Sequence, residues 1–133
     1  MFARSATIPF ELTRATRLLA RLCLSSIFLI SGMEKVLSPA ATVAEIRSAG
    51  LPLPVLGLVL AASIELLCGG ALAVGFRLRW TAGILAAFTI VTALVFHTSF
   101  ADPNQLTHFL KNVAMAGGLL YVAATGEEIR RRS

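Results

Sequence analysis

The chain has 133 residues, of which 56% are hydrophobic and only 14% charged, and its mean hydropathy is +0.79. A soluble domain carries nearer about a quarter charged residues, so the composition excludes an ordinary water-soluble core and indicates an integral membrane protein, with room for one domain, 1–133. The net charge of +5 does not indicate nucleic acid, because the arginines flank apolar runs and no basic surface is interleaved with aromatic residues.

Four apolar segments are expected as helices, at residues 16–37, 53–76, 80–97 and 106–125. Each is close to the roughly 17–25 residues a membrane-spanning helix needs. In the first, the uncharged stretch Leu22 to Met33 follows Arg14, Arg17 and Arg21 and has the length of a signal-peptide core. Glu34 and Lys35 follow at once, where a cleavage site would place small residues, so the segment is expected to be retained as a helix. Ser38-Pro39 suits its end. Ala40 to Ala49 can form a short interfacial helix with Glu45 and Arg47 exposed, closed by Gly50.

Pro52 and Pro54 suit the opening turn of the second segment. The run from Leu53 to Phe76 would be about 36 Å long as a helix, against a hydrocarbon core of about 30 Å. Its one charged residue, Glu65, falls near the middle, where an acid costs roughly 2.5–3.5 kcal/mol on insertion scales. Counted by three and four, the stripe through Glu65 holds Gly57, Ala61, Ala62, Gly69 and Ala73. Small residues let helices approach in lipid, so Glu65 is expected to point at other helices. Arg77-Leu78-Arg79 leaves only a tight connection, which makes the second and third helices antiparallel neighbours. Asp102, Pro103 and Gln105 read as the N-cap, first and third positions of the last helix.

Nine arginines (Arg4, Arg14, Arg17, Arg21, Arg77, Arg79, Arg130, Arg131 and Arg132) fall at the termini and in the second connection, against Arg47 in the first. By the positive-inside rule both termini are then cytoplasmic. The expected fold is all-α, a four-helix transmembrane bundle running up-down-up-down.

In that arrangement the outer half collects Lys35, Glu65, His97, His108, Lys111 and Asn112, while the inner half is nearly apolar apart from Arg21. Two readings follow. One is a polar pocket for a proton, a small ligand or a quinone head group. The other is an ion pair from Glu65 to Lys111 or Lys35 that fixes helix register. His97 and His108 have no i, i+4 partner, so no metal site is expected. The serines lack the context of a hydrolase triad. Cys23 and Cys68 give neither a disulfide framework nor a metal-ligand pair by spacing, although similar depth would permit a dithiol pair.

The chain resembles the DoxX family of small bacterial membrane proteins. ARLCLSSIFLISGMEKVLSP matches the family's first helix through Arg21, Phe28, Gly32 and Lys35, and AGLPLP (Ala49 to Pro54) matches its first connection. IELLCGGALAVGFRLRW contributes Glu65, Gly69, Gly70, Gly75 and Arg79. FHTSFADPNQLTHFLKNVAMAGGLL contributes His97, Gln105, Phe109, Lys111, Asn112, Gly117 and Gly118. The likeness runs from about Leu18 to Ala124. It implies a four-helix bundle in the bacterial inner membrane with both termini inside, and association with quinone-linked respiratory, sulfur-oxidising or oxidative-stress systems. It brings no catalytic residue set.

The leading expectation is therefore an accessory subunit without catalysis of its own, in the lipid bilayer beside a membrane-associated oxidoreductase, with quinone as the candidate cofactor. A small proton-coupled transporter, which would work as a homo-oligomer, and an assembly factor for a membrane complex are the alternatives.

Overall fold

The computed structural model describes residues 10–126. Arg4 and Arg130 to Arg132, which carry part of the expected charge asymmetry, lie outside the described residues. Five helices form, and among the described residues there is no strand: α1 (Phe10–Leu37), α2 (Pro39–Ser48), α3 (Pro54–Val74), α4 (Leu78–Phe96) and α5 (Pro103–Thr125). Three are long and apolar enough to cross a membrane: α1 over Thr13–Leu37, α3 and α4. The last helix, α5, has 23 residues but carries Gln105, His108, Lys111 and Asn112 in its first half, which lowers its apolar character.

Local chemistry sets the boundaries. Ser38 separates α1 from α2, and Pro39 opens α2, where its missing N–H costs nothing. Gly50 takes φ +76° and ends it. The short α2 then lies against the start of α3 through its buried Ile46, and a Cβ on Gly57 would sit 3.3 Å from Ile46 Cδ1. At the other end of α3, Gly75 adopts φ +80°. Phe76 N–H donates to Ala71 O at 2.8 Å and Gly75 N–H to Leu72 O at 3.2 Å, the paired bonds of a Schellman stop. Arg77 follows with φ 45° and starts α4. The chain thus reverses within three residues and α3 and α4 run antiparallel. Before α5, the Asp102 carboxylate accepts from Asn104 N–H at 2.9 Å, with Pro103 in the first turn.

The core is small and lies between the helices. Phe28, Leu72, Ala82, Leu85, Ala86 and Leu119 form it. The most extensive contact is between α4 and α5, and α1 packs along α3. Large apolar side chains such as Leu19, Leu67, Val74 and Leu94 point outward. In water such a surface would be a liability; in a bilayer it is the lipid-facing side of the spanning helices.

Candidate functional site

Glu65 lies in a segment of α3, Ile64–Cys68, wound as a π-turn. A π-turn adds one residue to the winding and is common at functional sites. One residue is about 100° of helix rotation, so the small-residue stripe of α3 divides there. Before the turn, Gly57 and Ala61 open on a cavity. After it, Gly69 closes on α1, where a Cβ would lie 3.2 Å from Phe28 Cβ. From the α1 side, a Cβ on Gly32 would come 2.8 Å from Leu66 Cγ and 3.1 Å from Glu65 Cβ. Gly32 and Gly69 together let α1 and the π-turn meet almost backbone to backbone.

That close approach buries Glu65, which is 5% exposed. Its ion-pair partner is Lys35, whose Nζ stands 3.0 Å from Oε2. Ser31 Oγ donates to Oε1 at 3.0 Å, and Lys35 Nζ donates to Ser31 Oγ at 2.8 Å. Ser31 and Lys35 are one turn apart on α1, so both reach the carboxylate from the same face. Lys35 Nζ thus faces both Ser31 Oγ and the buried Oε2. Lys35 keeps contact with the surroundings, with 20% of its side chain exposed against 7% for Glu65.

A second polar group gathers where α4 ends and α5 begins. The rings of His97 and His108 stack with centroids 5.2 Å apart. His97 Nδ1 lies 3.1 Å from Gln105 Oε1; an amide oxygen only accepts, so this partner assigns the ring proton to His97 Nδ1. Lys111 Nζ lies 3.3 Å from His108 Nδ1, and an ammonium only donates, so His108 Nδ1 accepts. Asn112 Nδ2 reaches Thr89 O and Thr92 Oγ1, each at 3.4 Å, tying α5 to α4.

All six residues singled out in the sequence, Lys35, Glu65, His97, His108, Lys111 and Asn112, line one cavity of about 940 Å³. The two candidate partners of Glu65 separate: Lys35 forms the ion pair and Lys111 turns to His108. Ser31, absent from that set, bridges the pair; its spacing of four from Lys35 was the available signal. Ile27, Phe28, Leu60, Phe88, Val91 and Met115 supply apolar wall. Among the described residues no group of three or more His, Cys, Asp or Glu could hold a metal ion, and Cys23 and Cys68 are free thiols.

The DoxX family model matches residues 16–98, the stretch that carries α1, the π-turn and α4. The chain belongs to the DoxX family. It is 37% identical over 111 residues to the inner membrane protein YqjF of Escherichia coli strain K12, covering 82% of each chain. It is 32% identical over 114 residues to the inner membrane protein YphA of the same strain, covering 82% of this chain and 81% of the relative. No solved structure matches it significantly. With these relatives and its three candidate spans, this DoxX-family chain is a small inner membrane protein.

Proposed function

We propose that the protein is an accessory subunit of membrane redox chemistry that holds the head group of a quinone-type ligand in the cavity at Glu65. In this reading α1, α3, α4 and α5 all cross the bilayer as an up-down-up-down bundle with both termini in the cytoplasm, and the cavity faces the outer leaflet. The arginine asymmetry supports that orientation. A fluorescent protein fused at the C-terminus should then fold and fluoresce in cells, whereas a periplasmic C-terminus would leave it dark.

The observation that carries the proposal is the Ser31–Lys35–Glu65 triad set at a π-turn beside an apolar-walled cavity. A volume of about 940 Å³ lies within the range of small-molecule sites, which combine mostly apolar walls with a few convergent polar groups. Lys35 and Glu65 anchor the ligand, while His97, His108, Lys111 and Asn112 line the rest of the cavity. The test is purification in mild detergent from native membranes, with identification of co-purified proteins and lipophilic small molecules. A co-purified oxidoreductase with a quinone that is lost in Lys35→Met supports the reading. Wild-type quinone binding by Glu65→Gln and Lys35→Met preparations would refute the anchoring role.

One observation favours a second reading, a proton-coupled permeation path: the same cavity joins a buried acid to a cluster of titratable side chains, His97, His108 and Lys111. Solute flux into liposomes driven by a pH gradient and abolished by Glu65→Gln would select it.

A further inference from the structure

Arg21 lies inside the first candidate span, Thr13–Leu37, far from the cavity at Glu65. Its guanidinium rests on the backbone of Gly75 at the end of α3. A Cβ there would collide with Arg21 Nη1 and lie 3.0 Å from Cζ, so the glycine is what admits it. Nε is buried without a hydrogen-bond partner, whereas the Nη end is not sealed and the residue as a whole is half-buried. A cation that only marked one side of the membrane could stand in water beyond the helix end. A guanidinium seated this far in calls for an anion, and its planar fork matches two oxygens of a carboxylate or phosphate.

No described carboxylate supplies one. Among residues 13–126 the acids are Glu34, Glu45, Glu65 and Asp102. Glu65 is taken by Lys35, and the others belong to the end of α1, to α2 and to the start of α5, at the opposite end of the bundle. Further cations gather instead. Arg14, Arg17 and Arg21 are spaced by three and four, so they share one face of α1, with Arg17 roughly 6 Å and Arg14 roughly 10 Å beyond Arg21 along the helix. Because Arg21 meets Gly75, that face looks toward the α3–α4 connection, which adds Arg77 and Arg79. The outlying arginines are exposed, and none forms an ion pair among the described residues. Trp80, beside Arg79, is 64% exposed, as suits the aromatic belt at a membrane interface. Leu18 and Leu22 next to the α1 arginines, and Val74 and Phe76 on either side of Gly75, are exposed as well.

We propose that Arg21, with Arg17 and the arginines of the α3–α4 connection, holds the phosphate of an anionic phospholipid in a fixed site. Basic pockets between spanning helices bind such head groups. The exposed leucines, Val74 and Phe76 give its acyl chains an apolar surface that a soluble phosphate would not use. A zwitterionic lipid brings the same phosphate but also an ammonium, which the arginines repel. In the orientation proposed above the site lies in the cytoplasmic leaflet, and it is independent of what the cavity at Glu65 binds.

Trp80, the single tryptophan of the chain, reports on the site. The full-length protein is reconstituted in phosphatidylcholine vesicles, and quenching of its fluorescence is titrated with dibrominated phosphatidylglycerol or dibrominated phosphatidylcholine. The anionic lipid should bind at least about tenfold more tightly, about 1.4 kcal/mol at 25 °C. Arg21→Gln should reduce that preference to within about twofold. Arg47→Gln, on α2 at the opposite end, should leave it unchanged. Soluble glycerophosphoglycerol should not relieve the quenching. If Arg21→Gln does not fold, the wild type in about 0.5 M salt decides, because diffuse attraction is screened there while a held phosphate keeps most of the preference. Equal quenching by the two lipids overturns the proposal. So do equal partial losses from Arg14→Gln, Arg17→Gln and Arg21→Gln, which mean diffuse attraction only, and relief by the soluble diester, which means a site for soluble phosphate. None of these results bears on the cavity.

Discussion

Removing the two members of the buried pair should have unequal cost. Lys35→Met leaves the Glu65 carboxylate 5% exposed with only the Ser31 hydroxyl as partner. Breaking a buried ion pair from one side costs about 3–5 kcal/mol, and the two-methylene stem of Glu65 is shorter and more deeply buried than that of Lys35. Glu65→Gln strands the other charge instead. Lys35 is near the end of α1, is 20% exposed, and has a four-carbon stem that can carry its ammonium to the interface. The glutamine keeps a carbonyl for Ser31. The cost should then be nearer that of an unmade hydrogen bond, about 1–3 kcal/mol. Replacing both, as Lys35→Met with Glu65→Leu, removes the desolvated charges together and should be neutral or stabilising. Reversible unfolding in mixed detergent–SDS micelles gives the free energies of wild type, both single variants and the double. Lys35→Met should be the most damaged of the set, and the double variant should be more stable than either single. It is refuted if Glu65→Gln proves the more damaging, or if the double variant shows the sum of the two single losses.

The same unfolding measurement checks the backbone contacts. Gly32→Ala places a Cβ 2.8 Å from Leu66 Cγ and should cost about 1–3 kcal/mol by overpacking. Gly117→Ala, whose Cβ would meet nothing within 4 Å, should be neutral or gain up to about 1 kcal/mol from helix propensity. Asp102→Ala removes the carboxylate that caps α5 and should lose about 1 kcal/mol. Asn112→Leu breaks two long bonds to α4; interhelical bonds in membranes average about 0.6 kcal/mol, so its loss should stay under about 1 kcal/mol. A larger loss would mean that Asn112 also holds Thr89 and Thr92 in place.

Helical character and family were legible because they rest on distributed signals. Apolar runs, flanking arginines and turn residues such as Ser38-Pro39 and Asp102-Pro103 each report local chemistry. Glu65 was legible as an expense: an acid inside a long apolar run needs a partner, and small residues on its face say that the partner is another helix. Its choice of partner was not. Lys35 and Lys111 carry the same charge, and the decision between them belongs to geometry between helices. Gly32 brings α1 onto the π-turn, while the stacked histidines hold Lys111 at the junction of α4 and α5. No pattern of threes and fours announces a π-turn, because such counting assumes the regular winding that the turn breaks.

The π-turn also explains how α3 meets two different demands. A regular helix would carry Gly57, Ala61, Glu65 and Gly69 on one face, so closing α1 tightly against Gly69 would cover Ala61 and Gly57 as well. One extra residue rotates the two halves by about 100°. The part after the turn then seats against Phe28, and the part before it keeps Gly57 and Ala61 on the cavity with Glu65 at the junction. Deleting one residue within Ile64–Cys68, for example Leu67, which is 74% exposed, tests this directly. The deletion should restore regular winding, shift Gly69 away from Phe28 and uncouple Lys35 from residue 65. In that background Lys35→Met should cost less than about 1 kcal/mol, against about 3–5 kcal/mol in the wild-type winding. An unchanged Lys35→Met cost in the deletion variant would show that the ion pair does not depend on the turn.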